Sequence, residues 1–139
     1  MKILSVIVFF LCAMYWFTLA HVSLNFLDSP PEIVRFSEDG QYRVTINDMY
    51  PVNPIGWYCF LTTESPIYFS LCDAENNYMG QSSPFSCYGH WTAGYFLFPN
   101  EAKAYGDDGF VVLDDSNNGE LNIGIKNKRW WSWWFGLFH

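Results

Sequence analysis

The sequence predicts an all-β fold, a single small β-sandwich of jelly-roll or immunoglobulin-like type behind an N-terminal hydrophobic leader. Three observations carry this. Beyond residue 20 the apolar residues recur at period two or in short runs, as strands require. Clusters of Gly, Pro, Asn and Asp punctuate those runs at the spacing of hairpin turns. Outside the leader no segment sustains the helical period of the apolar residues.

The elements follow in order. Met1 and Lys2 precede an unbroken apolar run from Ile3 to Ala20, interrupted only by Ser5 and Thr18, which is the pattern of an export signal. Thr18 and Ala20 place small residues at −3 and −1 of a cut before His21. The run also approaches bilayer-spanning length, and Tyr15, Trp16 and Phe17 suit an interfacial belt. Residues 1–20 are therefore a cleaved signal peptide or a retained membrane anchor, with the rest of the chain exported in either case. Val22 to Phe26, Tyr42 to Ile46, Trp57 to Leu61, Ile67 to Cys72, Gly94 to Phe98, Phe110 to Leu113 and Leu121 to Ile125 make a set of about seven strands. The sandwich spans residues 21–129, and residues 130–139 form an aromatic tail.

Composition narrows the function classes. The chain has 139 residues, of which 21% are aromatic, and a formal net charge of −7 with seven Lys and Arg against 14 Asp and Glu. A domain this acidic lacks the basic face that nucleic-acid binding needs. Three cysteines, Cys59, Cys72 and Cys87, follow the leader, so an oxidising compartment predicts one disulfide and one leftover thiol. Cys72–Cys87 is the expected pair, because it would pin the long polar stretch Asp73 to His90. A zinc site with His90 as fourth ligand is the competing arrangement, and it lacks a Cys-x-x-Cys knuckle.

Candidate sites are few. Trp57, Tyr88, His90 and Trp91 are the expected ligand-binding residues, aromatic platforms on which sugar rings can stack, although most aromatics of a small sandwich pack its core. If the leader is cut, His21 would offer its α-amine and imidazole side by side, two of the three nitrogens of a copper-enzyme site. Asp114, Asp115, Asn117 and Asn118 form an oxygen-rich loop that could hold calcium, while a hairpin turn at Asn118-Gly119 explains the same residues.

The stretch Gly109-Phe-Val-Val-Leu-Asp-Asp-Ser-Asn-Asn-Gly-Glu-Leu-Asn-Ile-Gly-Ile125 resembles the end of the calcium-dependent bacterial galactose-binding lectins. In that β-sandwich family a hydrophobic strand ends at an Asp, a loop with paired Asn and Gly follows, and an alternating strand comes next. The matching residues are Asp114 or Asp115, then Asn117, Asn118 and Gly119, then Leu121, Ile123 and Ile125, in a loop several residues shorter than the family's. Gly40 to Ile46 and Tyr50 echo an earlier strand and loop tyrosine. The resemblance implies a calcium-assisted carbohydrate-binding module.

The tail carries a separate signal. Lys126, Lys128 and Arg129 precede Trp130, Trp131, Trp133 and Trp134, a cationic and aromatic pairing that fits a membrane interface, a protein groove or a final strand. On a strand, neighbouring rings face opposite sides, so they cannot all enter one core. The expected function is thus an exported, non-catalytic binding module, with a glycan as partner. The alternative is an envelope or secreted interaction or inhibitor protein with a membrane-interfacial tail, and the remote third is the copper enzyme at His21.

Overall fold

The computed structural model of the chain describes residues 2–22, 31, 33–90, 95–102, 108–113 and 121–137. Helix α1 spans Lys2–Leu19, and a 3-10 turn, Ala20–Val22, continues it. The run from Ile3 to Leu19 holds neither Gly nor Pro, so nothing breaks the helical ladder. Its 18 residues reach about 27 Å at 1.5 Å per residue. Thr18 returns its hydroxyl to the Met14 carbonyl at 2.7 Å, which satisfies that donor within the helix.

Two antiparallel sheets follow, each confirming the strand-rich composition. The first holds β1 (Ile33–Phe36), β2 (Tyr42–Asp48), β3 (Pro66–Asp73) and β4 (Tyr78–Gln81) in that order, with the short β5 (Tyr88–Gly89) also on β3. The second holds β6 (Tyr95–Leu97), β7 (Gly109–Leu113) and β8 (Asn122–Gly124) in order. Registers such as Val44↔Leu71 and Ile46↔Phe69 put the β-branched face of β2 beside the apolar face of β3. Gly40, at φ +68°, turns β1 into β2. Asp73 braces the β3–β4 turn by accepting from the backbone N–H groups of Glu75 and Asn77 and from the Asn77 amide. Those bonds hold its carboxyl below the usual carboxylate range, Asn77 contributing most.

Both sheets feed one apolar core. Val44, Ile46, Ile67, Phe69 and Leu71 from the first meet Phe110, Val112 and Ile123 from the second. Burial of each such side chain contributes roughly 1.5–3 kcal/mol. Strand β3 is covered on its other face as well, which explains its nearly unbroken apolar sequence. There a second cluster gathers Tyr68 with Leu19, Val22, Met49, Cys59 and Phe135.

The helices covering that second face depart from the strand assignments. Trp57 to Leu61 lies inside α2, Pro54–Thr62, because Asn53 caps it and Pro54 sits in its first turn. Its apolar residues are contiguous, so periodicity alone does not separate helix from buried strand. Residues 130–135 form α4, Trp130–Phe135, instead of a last strand. The stretch from Asp73 to His90 holds β4 and β5 instead of a single long loop, and β1 has no counterpart among the expected strands. Val22 belongs to the 3-10 turn, and the remainder of the strand expected there lies outside the described residues. A short helix, α3 (Pro99–Ala102), leads from β6.

Candidate functional site

The foot of α1 is where the leader and the domain become one structure. Asn53, buried, accepts from the Gly56 backbone N–H at 2.7 Å and so caps α2. The two hydrogens of its amide nitrogen are shared among three acceptors, the carbonyls of Trp16 and Phe17 at 2.8 and 3.1 Å and His21 Nδ1 at 2.9 Å. His21 is 0% exposed, and its Nε2 sits 2.7 Å from the Pro84 carbonyl oxygen. A carbonyl can only accept, so Nε2 carries the proton and Nδ1 accepts from Asn53. The ring is therefore a neutral bridge between α2 and the 82–87 segment. Tyr50 adds a backbone bond to the His21 carbonyl at 3.3 Å.

Close approach makes this joint possible. A Cβ on Gly56 would lie 2.4 Å from the Tyr50 carbonyl oxygen and 2.8 Å from His21 Cβ, so only glycine lets α2 sit against the foot of α1. A disulfide, Cys59–Cys87, with Cα atoms 5.1 Å apart, ties α2 to the segment carrying Pro84 and Phe85. The expected Cys72–Cys87 pair is thereby corrected. The β3–β5 register sets Ile67 opposite Tyr88, leaving Cys87 near Tyr68. Cys72 lies four residues further along β3, about 13 Å away at strand rise, beyond the reach of a disulfide. It remains a buried free thiol. The same bond removes two of the three thiolates that the zinc arrangement needs.

Aromatic side chains surround the joint. Helix α2 exposes Trp57, Tyr58, Phe60 and Leu61, the last at 76%. Phe85 lies 6.0 Å, centroid to centroid, from both Trp130 and Trp131. On α4 the helical period, not the strand period, sorts the rings. Ser132 and Phe135 are buried, Trp131 and Trp134 are half-buried, and Trp130 and Trp133 point outward, Trp133 at 61% exposure. Ser132 anchors the helix: its Oγ accepts from the Gln81 N–H at 3.1 Å and lies 3.3 Å from the Gln81 carbonyl, covering the outer edge of β4. Trp131 Nε1 donates to the same carbonyl at 3.3 Å. Lys126, Lys128 and Arg129 are exposed just before α4, and Lys126 pairs with Asp108 at 2.9 Å.

The other sequence candidates scatter. Trp57 is exposed and edge-on to Phe60 at 6.0 Å. Tyr88 is a core residue, 6.2 Å edge-on to Phe69, which removes it as a surface platform. His90 is exposed beyond β5. Trp91 and the calcium candidates Asp114, Asp115, Asn117 and Asn118 lie outside the described residues. His21 has both ring nitrogens engaged by protein groups, and its backbone nitrogen is a peptide nitrogen of the continuous 3-10 turn, so neither ring nitrogen is open to copper in this arrangement. Sequence reasoning missed the joint itself, although Asn53-Pro54 is a helix-start signal.

No curated protein and no solved structure matches the chain. A family model described as a family of unknown function (DUF6201) matches residues 1–134, leader and domain alike, and the chain belongs to that family.

Proposed function

We propose that the protein is an envelope-facing binding protein, a small sandwich held to the membrane by a retained N-terminal helix, which acts at the bilayer surface by contact and not by catalysis. The observation that carries this reading is the burial of His21 between Asn53 and Pro84. A leader destined for removal has its cut site accessible and extended. Here the Ala20–His21 bond sits inside a 3-10 turn whose three residues are all buried. The rest of α1 is the opposite: apolar, exposed, and long enough to cross a membrane, with a mean hydropathy of 2.3. The Cys59–Cys87 disulfide supports a domain on the oxidising side, with Lys2 on the cytoplasmic side, as the positive-inside rule favours. Alkaline carbonate extraction of membranes from expressing cells tests the tether. The protein should stay in the pellet; recovery in the supernatant would sink it.

A further inference from the structure

The leader helix leaves the domain at an end that also carries a disproportionate share of the exposed large rings. From His21 one arm of contacts runs through Asn53 into α2, with Trp57, Phe60 and Leu61 outward. The other runs through Pro84 to Phe85 and its partner Trp130. The Cys59–Cys87 bond closes these arms into a ring. Rings left bare on a small domain mark a surface that something covers. The foot of the exposed apolar helix α1 packs in one cluster with α2, Cys87 and α4, so these elements flank the point where α1 leaves the domain.

Charge supports the same occupant. Three of the chain's seven basic residues, Lys126, Lys128 and Arg129, fall in four positions immediately before Trp130. Lys126 pairs with Asp108, while Lys128 and Arg129, exposed just before the positive end of α4, gain no stabilisation from its dipole. Acidic Glu38, Asp39, Asp73 and Glu75, with Arg43 beside them, lie at the opposite ends of β2 and β3, roughly 25 Å along the strands, against Asp48, Glu64 and the Lys126 partner Asp108 on the near side.

We infer that the rings of α2, Phe85 and the start of α4 form a collar that seats the domain flush on an anionic lipid surface around its own anchor, with the cations at headgroup level. This rests on the tethered reading and adds a defined contact face to it. The test uses the full chain in vesicles of phosphatidylcholine and phosphatidylglycerol, with lipids brominated near the headgroup end of the acyl chains as quenchers of tryptophan emission. The triple variant W57F/W130F/W133F should at least halve the quenchable emission, and adding W16F should remove most of what remains. If the triple variant quenches like the unsubstituted chain while W16F alone abolishes quenching, the tether stands, the collar is overturned, and the rings face a protein. If nothing quenches in the unsubstituted chain, the tether itself fails. Should the triple variant not fold, the three single Trp→Phe changes give the same reading ring by ring. K126Q/K128Q/R129Q should erase the excess quenching in phosphatidylglycerol vesicles over phosphatidylcholine alone, and no excess in the unsubstituted chain would overturn the part assigned to the cations.

Discussion

Asn53 performs two jobs with its two ends, and they are separable. Asn53→Ser keeps a capping oxygen for α2 but is too short to reach Trp16, Phe17 and His21. It should cost about 1–3 kcal/mol, the penalty of leaving His21 Nδ1 buried without a donor. Asn53→Ala loses the cap as well, adding about 1 kcal/mol. Thermal melts of the detergent-solubilised chain order the three proteins, and equal melting temperatures would remove Asn53 from the joint. At Gly56 the expectation is steric. Gly56→Ala drives a methyl against the Tyr50 carbonyl and His21 Cβ, so it should destabilise by about 1–3 kcal/mol even though alanine is the better helix former. A stabilised Gly56→Ala protein would mean that α2 and the foot of α1 are not packed as described.

Among the elements, strands were legible and helices were not, for a physical reason. Tyr42 to Ile46 alternates because β2 has one face on the core, and Ile67 to Cys72 runs apolar because both faces of β3 are covered. Helices α2 and α4 are short and apolar nearly throughout, since each packs one side on the domain and bares rings on the other, so no amphipathic period marks them. The joint at His21 depends on partners 32 and 63 residues away in sequence, which no local pattern reveals. The expected Cys72–Cys87 pair fails for the same reason: pairing follows strand register, not loop length. A peptide map without reduction should return Cys59–Cys87, with Cys72 alkylated only on unfolding. Replacing both bridged cysteines by serine should cost roughly 3 kcal/mol in the chain-entropy model, given a separation of 28 residues. Ser132→Ala should cost about 1–3 kcal/mol by stripping the Gln81 N–H of its acceptor. Rapid alkylation of Cys72 in the folded protein, or a Cys59–Cys72 link, would contradict the β3–β5 register.

At the scale of the whole molecule, the two ends of the first sheet differ. One end of the first sheet carries acidic turns, and the other carries the joint, the disulfide and the exposed rings. The proposed bilayer contact would draw on Lys126, Lys128 and Arg129, three of the seven basic residues, and on the exposed rings of α2, Phe85 and α4. The stretch from Gly109 to Ile125 contributes β7 and β8 to the core, while the loop on which a calcium site would depend lies outside the described residues. If α1 is a permanent part of the folded protein, the intact mass of the protein purified from membranes shows it. The whole chain, 16.2 kDa with Lys2 still present, is the expected product; one whose first residue is His21 would mean that α1 is removed.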